Sequence, residues 1–235
     1  MDGLLIDTEP AWRAATSAVF ARLGVCLSES DLLDSTGRPI EELIPAWRLR
    51  QPPAGSRNPE VTGAELTDAE VADLITDRVI AHVMADGEPM PGVTAAIALF
   101  ERYGLPLAIA SSSPPRLIDA VCDRLGLADI DVRCSAMDEI RGKPAPDVYF
   151  TAARRLGVGA ASCLALEDSP HGVASAKAAG MRCVAVPDPL LAADPAYRHA
   201  DLVIPSLTAL DGAAVRRLGV QVDHPQRADD PQRAR

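Results

Sequence analysis

The fold is decided by the stretch 163–180, which reads CLALEDSPHGVASAKAAG. Its first four residues, Cys163–Leu166, are apolar and predict a short buried strand. Gly172–Ala179 has the pattern of a helix that ends at Gly180. Two adjacent carboxylates, Glu167 and Asp168, follow the strand directly. A buried strand that leads into a helix is the repeating unit of a parallel sheet covered by helices.

The same alternation extends in both directions from this stretch. It predicts further strands and helices at Leu105–Ala110, Pro115–Leu125, Val132–Ala136, Pro146–Leu156, Cys183–Val186 and Leu202–Ile204. The predicted fold class is therefore α/β, with a Rossmann-like parallel sheet.

The segment from Glu9 to Asp86 has a different pattern. Helical spacing of apolar residues predicts helices at Ala11–Leu23, Ile40–Leu49 and Asp68–Met84, separated by a Pro-, Gly- and Ser-rich loop at Gln51–Gly63. An all-helical block inside an α/β chain indicates an inserted cap. We expect residues 1–8 and 89–212 to form the core, 9–88 the helical cap and 213–235 a polar tail.

Composition excludes several classes of protein. A net charge of −10 over 235 residues argues against a nucleic-acid partner, which needs a basic face. There is no apolar run of membrane-spanning length, and the first residues lack the pattern of a signal peptide. Five widely spaced cysteines without a CxxC pair are typical of a reducing compartment. We expect a cytoplasmic monomer with no membrane partner.

Polar residues that could form a binding site occur at three places, two of them at the ends of predicted strands and one in a loop before a helix. Ser111 and Ser112 come at the end of a strand and can bind phosphate, or Ser111 can simply cap the next helix. Lys143, in a Gly-Lys-Pro loop, can neutralise phosphate or be a solvated loop cation. Glu167 and Asp168 suit a hard cation such as Mg²⁺, or Asp168 or Ser169 caps the following helix.

The first nine residues, MDGLLIDTE, complete this set. Asp2-Gly3, Ser111 after a strand, Gly-Lys-Pro before a helix and Glu-Asp-Ser-x-x-Gly after a strand together resemble the four motifs of the haloacid dehalogenase superfamily, in order and spacing. The resemblance covers about 1–212. It is nearest to the β-phosphoglucomutase-like group, and within it to hexitol-phosphate and 2-deoxyglucose-6-phosphate phosphatases. The stretches Asp2–Pro10, Arg50–Gly55, Ala165–Val173 and Val184–Pro195 carry this nearer resemblance.

The resemblance implies a Mg²⁺-dependent phosphatase acting on a small phosphorylated metabolite, a sugar or polyol phosphate. Asp2 would be the general acid and base, and its backbone carbonyl would bind Mg²⁺. Asp168 would bind the metal, with Glu167 beside it. Ser111, Ser112 and Lys143 would hold the phosphoryl group.

The cap is expected to contribute Arg38, in Thr-Gly-Arg, together with Glu9 and Trp12 near the hinge. His171 is expected to be a loop histidine without a catalytic role.

The nucleophilic aspartate of this family would stand immediately before Met1, at the end of the central strand of the sheet. Without that strand, its two neighbours are expected to have unpaired edges, and the chain is expected to fold poorly and to lack activity. The interpretation we favour is that Met1 is the internal methionine of an Asp-Met-Asp-Gly motif. The alternative is a decayed gene or a product with a non-catalytic role. For the function itself, the alternatives to a phosphatase are a phosphosugar mutase and a non-catalytic remnant that binds phosphate or a partner.

Overall fold

A computed structural model of the protein describes residues 1–33, 40–49, 66–189 and 191–220. Its helices are α1 (Glu9–Arg22), α2 (Glu29–Leu33), α3 (Ile40–Arg48), α4 (Asp68–Asp86), α5 (Val93–Arg102), α6 (Pro115–Leu125), α7 (Asp147–Arg155), α8 (Pro170–Ala178) and α9 (Gly212–Arg217). Its strands are β1 (Ala108–Ser111), β2 (Val132–Ser135), β3 (Leu164–Glu167), β4 (Arg182–Ala185) and β5 (Leu202–Val203). The predicted α/β class, with parallel strands and a block of helices, is confirmed.

The strands form two parallel groups. β1 pairs with β2, with Ala108 opposite Val132, and β3 pairs with β4, with Leu164 opposite Arg182. β5 completes the second group on the far side of β4. Within the described ranges β1 and β3 each have one hydrogen-bonded edge only. The prediction of two strands with open inner edges is confirmed.

An apolar cavity of about 330 Å³ lies between the two strand groups. Residues of β1 and β3 line its sides, and Met1 and Leu4 lie at its margin. Its lining is largely aliphatic, as on the faces of a sheet that is covered on both sides.

The first residues form a tight loop beside this cavity. The backbone N–H of Leu5 donates to the Met1 carbonyl at 2.7 Å, and the Gly3 N–H donates to the Ile6 carbonyl at 2.8 Å. Met90 N–H donates to the Leu5 carbonyl, which ties the loop to the start of the α/β part. Ile6 is buried in a cluster shared by both parts of the molecule, so the loop is anchored by packing as well as by hydrogen bonds.

The cap helices pack around an apolar centre. Phe20 of α1 and Trp47 of α3 meet edge to face, with ring centroids 5.4 Å apart. α4 begins with a capping box, in which the Thr67 hydroxyl accepts from the Glu70 N–H and the Glu70 carboxylate accepts from the Thr67 N–H. α4 also packs on α6 of the α/β part, where Arg116 bonds to Asp73 at 2.7 Å and to Asp77.

Several predicted bounds need correction. The first strand begins at Ala108 rather than Leu105, and α8 begins at Pro170 rather than Gly172, because Ser169 already caps it. The polar tail predicted from 213 starts too early, since α9 extends to Arg217 and buries two apolar residues, Ala214 and Val215. The Gln51–Gly63 loop and the chain beyond 220 lie outside the described residues. None of the helices in the described ranges combines the length and apolar character needed to cross a bilayer.

One side chain links helix α8 to the second group of strands. The Asp201 carboxylate accepts from Lys177 Nζ at 2.6 Å and from the backbone N–H of the buried Cys183 at 2.7 Å. Burial raises the pKa of Asp201, but Lys177 and the Cys183 N–H outweigh it and hold the pKa below its ordinary value. The folded state therefore favours the charged form.

We predict that Asp201→Ala lowers the free energy of unfolding by about 1–3 kcal/mol, chiefly because the buried Cys183 N–H loses its acceptor. The stabilisation by the Asp201 carboxylate should be complete above its unfolded-state pKa of about 3.9. It should be lost as the pH falls through the lower pKa that Asp201 has in the folded state. Urea unfolding at several pH values measures it. Asp129→Ala, which removes an exposed carboxylate, is the control, and an equal loss in that variant would contradict the assignment.

Candidate active site

A cavity of about 150 Å³ opens at the carboxyl ends of β1 and β3, the position at which open α/β sheets bind ligands. Its floor includes Asp2, Ser111, Lys143 and Asp168 from four separate segments of the α/β part. The beginnings of α1 and α3 form the opposite wall. The structure thus brings together the predicted site residues that fall within its described ranges.

The orientation of Asp2 is fixed by two hydroxyl groups. Its Oδ1 accepts from Thr8 Oγ1 at 2.5 Å, and its Oδ2 accepts from Ser113 Oγ at 2.5 Å. Thr8 is completely buried and stands at the N-cap position of α1, yet its side chain caps no helix N–H. The hydroxyl serves Asp2 instead. Sequence reasoning missed both partners.

The serines that follow β1 lie in different environments. Ser111 is buried and its Oγ accepts from the Ser113 N–H at 3.1 Å, whereas Ser112 is exposed at the cavity. The alternative that Ser111 caps the next helix is wrong, since the N-cap of α6 is Pro114. The turn therefore presents hydroxyls and backbone amides beside Asp2 rather than closing a helix.

Lys143 is held inside the molecule. Its Nζ donates to Glu167 Oε1 at 2.5 Å and to the Ala110 carbonyl at 3.0 Å, and its side chain is 8% exposed. The alternative of a solvated loop cation is therefore wrong. An ammonium has three donors, so one N–H remains for the cavity that Lys143 lines.

Glu167 is the buried carboxylate that pairs with Lys143 inside the molecule. It is 4% exposed, and its Oε1 accepts from both Lys143 and the Tyr149 hydroxyl. Burial raises the pKa of Glu167, but the positive charges of Lys143 and the Met1 amino group and the hydrogen bonds from Lys143 and Tyr149 together hold the pKa below its ordinary value. Gly172 leaves room for the carboxylate, because a Cβ at that position would clash with it. Tyr149 was not foreseen from the sequence.

Asp168 has a different environment. Burial, and then the charge of Glu167, raise the pKa of Asp168 to about 7. Its carboxylate lies directly against Gly3, which adopts a positive φ of 68° and could not carry a side chain there. The alternative that Asp168 caps α8 is wrong, because Ser169 does so, its Oγ accepting from the Gly172 N–H at 3.0 Å.

These residues fit a magnesium ion. A cation beside Asp168 would favour the charged form of this half-buried carboxylate, and Asp168 faces the loop that contains the Asp2 carbonyl. Within the described ranges no three Asp, Glu, His or Cys side chains converge on one point. Mg²⁺ does not require this, since it commonly takes one or two carboxylates together with water and substrate phosphate.

The cap side of the cavity carries Glu9 and Trp12 of α1 and Glu41 of α3. Glu9 lies 3.7 Å from Arg13, one helical turn further along. Arg38 lies outside the described residues, so its predicted place at the substrate stays a prediction. His171 is exposed and does not line the cavity, but the prediction that it lies in a loop is wrong, because α8 begins at Pro170 and His171 belongs to its first turn.

Comparisons with known proteins identify the family of this chain. The family model of haloacid dehalogenase-like hydrolases matches residues 1–180. The chain is 38% identical over 212 residues to hexitol phosphatase B of Escherichia coli (strain K12), covering 89% of this chain and 91% of that protein. It is 30% identical over 187 residues to the fructose-1-phosphate phosphatase YqaB of the same organism, covering 79% and 93%.

A solved structure supports the same assignment. The crystal structure of CbbY from Rhodobacter sphaeroides in complex with phosphate has a TM-score of 0.78 and 30% identity, covering 92% of this chain and 96% of that one. The chain therefore belongs to the haloacid dehalogenase-like hydrolases, within the group of phosphoric monoester hydrolases that includes hexitol phosphatase.

Proposed function

We propose that this protein is a Mg²⁺-dependent phosphatase that hydrolyses a small sugar or polyol phosphate through an aspartyl-phosphate intermediate. The observation that carries the proposal is the cavity in which an oriented carboxylate, Asp2, faces a buried lysine, Lys143. The phosphatases among its relatives support the reaction class.

The phosphoryl group binds at the carboxyl end of β1. Lys143 supplies one charged donor, and Ser111 and Ser112 supply hydroxyl and backbone donors. Because Glu167 and the Ala110 carbonyl hold the ammonium in place, it need not reorganise when negative charge develops on the phosphoryl oxygens.

Asp2 moves the protons. As the bond between phosphorus and the sugar oxygen breaks, Asp2 gives its proton to that oxygen, which leaves as an alcohol. Water then attacks the phosphorus of the acyl phosphate, Asp2 takes the proton from that water, and inorganic phosphate is released. Thr8 and Ser113 keep the carboxyl group aimed at the same point in both steps.

In this proposal the attacking carboxylate would be supplied by an aspartate at the end of a further strand between β1 and β3. The apolar cavity between β1 and β3 has the lining that a strand buried on both faces would pack against, and no described residue pairs with the facing edge of either strand. A strand in this position would deliver its last residue beside Asp2, Ser111 and Asp168.

Magnesium would be held by Asp168 and the Asp2 carbonyl, with Glu167 beside them as the partner of Lys143. When bound, the ion offsets the repulsion between an anionic nucleophile and an anionic phosphate. The cap wall and Arg38 would contact the sugar. We also propose that the protein is a monomer and that it is cytoplasmic. Its five free cysteines support the cytoplasmic location.

We predict that residues 1–235 alone do not hydrolyse p-nitrophenyl phosphate above background. An extended chain, in which the same residues follow a short apolar strand ending in aspartate, should do so in a manner abolished by EDTA. A panel of phosphorylated metabolites should show preference for sugar and polyol phosphates over nucleotides. Turnover by residues 1–235 would contradict the assigned nucleophile. Conversion of β-glucose 1-phosphate to glucose 6-phosphate without phosphate release would favour the mutase.

We predict that Lys143→Ala in the extended chain lowers kcat/KM by about 10²-fold or more, because a preorganised charge at the transition state is lost. Arg141→Ala, which removes an exposed cation from the same loop, is the matched control and should change little. Steady-state kinetics on one sugar phosphate measures both. Equal effects in the two variants would remove Lys143 from the site.

We predict that magnesium activation depends on pH through Asp168. Its raised pKa, about 7, means that Mg²⁺ must displace a proton at lower pH, so the Mg²⁺ concentration for half activation should fall as the pH rises from about 6 to 8. Asp168→Asn should weaken activation and remove that pH dependence. Unchanged Mg²⁺ titrations in the variant would exclude Asp168 as a ligand.

A further inference from the structure

Tyr149 contacts both members of the buried ion pair between Lys143 and Glu167. It lies in the first turn of α7, just after the loop that carries Lys143, and the Lys143 ammonium is 5.0 Å from the centre of its ring. Its hydroxyl donates to Glu167 Oε1, the same oxygen that accepts from the ammonium. The ring therefore attracts the cation while the hydroxyl bonds to the anion.

The Tyr149 hydroxyl keeps its proton and so remains a donor. Its side chain is buried, and burial, followed by the charge of Glu167, holds the pKa of Tyr149 well above its ordinary value. A hydrogen bond to an ionised carboxylate is stronger than one to a neutral acceptor. Glu167 Oε1 is thus held by two donors, which restricts the ammonium that bonds to it.

The backbone of the Lys143 loop is fixed by other groups. The Ser175 hydroxyl of α8 donates to the Ala145 carbonyl at 2.6 Å, and the Ala145 N–H donates to the Gly142 carbonyl at 2.9 Å. The flexible side chain of Lys143 must be positioned by its own contacts. The Tyr149 hydroxyl takes no part in the loop bonds, so its removal should affect the ammonium rather than the loop.

We propose that Tyr149 is a positioning residue, whose hydroxyl fixes Glu167 Oε1 and thereby places the Lys143 ammonium for the transferring phosphoryl group. This inference rests on the proposed function and adds a residue to its machinery. The ammonium spends two of its three donors on Glu167 and the Ala110 carbonyl, and the ring is too distant to accept the third. A cation already in place stabilises the transition state more than one that must move there.

The kinetic test is Tyr149→Phe in the extended chain, which removes the hydroxyl and keeps the ring. We expect kcat to fall by roughly 10-fold, because a hydrogen bond to the charged pair is lost. The inhibition constant of inorganic phosphate should change by less than about threefold, since both charges remain and a mobile ammonium can follow a phosphate that is already bound. Tyr103→Phe is the matched control, because Tyr103 bonds to Arg216 and does not line the cavity, and it should leave both values within about twofold.

A double-mutant cycle shows whether Tyr149 acts through the lysine. The second background carries Lys143→Met together with Glu167→Gln, so that no unpaired charge is buried. In that background Tyr149→Phe should change kcat by less than about twofold. A tyrosine that only fills the core would cause the same loss in both backgrounds.

The position of the ammonium can also be observed directly, because the chain contains only two lysines, Lys143 and Lys177. Labelling with ¹⁵N-lysine therefore gives one ammonium signal from the site and one internal reference, which pairs with Asp201. Tyr149→Phe should lower the order parameter of Lys143 Nζ from about 0.8 to below about 0.6 and leave that of Lys177 unchanged. The measurement is made on residues 1–235 and on the extended chain, and it needs no turnover.

An unchanged order parameter of Lys143 Nζ, or an equal loss of kcat in the two backgrounds, would overturn the positioning role and leave the phosphatase proposal intact. Absence of turnover in the unmodified extended chain would contradict the proposed function, and the order parameter would still decide whether Tyr149 holds the ammonium. Replacement of Tyr149 by 4-aminophenylalanine, which keeps a donor at the same place, should restore kcat to within about threefold. A folded chain with this replacement and no recovery of kcat would also overturn the positioning role.

Discussion

The arrangement of the site depends on one buried ion pair, between Lys143 and Glu167. The lysine comes from the loop before α7, the glutamate ends β3, and the lysine also bonds to the Ala110 carbonyl of β1. A single ammonium therefore connects the two groups of strands across the open space between them. Burying either charge alone would be costly, so it is the pairing of Lys143 with Glu167 that allows both to be buried.

This connection explains how a divided sheet can still present one site. β1 and β3 do not share a backbone ladder within the described ranges, yet their carboxyl ends lie at the same cavity. Side-chain bonds and the Met1–Ile6 loop provide the alignment there. Tyr149 and Gly172 complete the setting of Glu167, one by donating to its carboxylate and the other by leaving space for it.

Much of the fold could be predicted from periodicity. The helix bounds at Pro115–Leu125 are those of the structure, because Pro at the start and Gly after the end mark both termini. The start of a strand is poorly marked in the sequence, since apolar residues such as Leu105 precede the hydrogen-bonded part. The site residues that belong to motifs could be identified because polar residues suited to the chemistry occur at the ends of predicted strands. Thr8, Ser113 and Tyr149 were missed, since a hydroxyl carries no sequence signal for a carboxylate that folding alone brings near it.

The bond between Thr8 and Asp2 also bears on motion. Thr8 is the last residue before α1, so it is the joint at which the helical cap leaves the core, and its hydroxyl aims the proposed proton donor. A hydrogen bond of 2.5 Å is lost if its atoms separate by about an ångström. A swing of the helices about this joint would then release one side of the acid. Asp2 would therefore be oriented for proton transfer only while the helical cap is closed over the site.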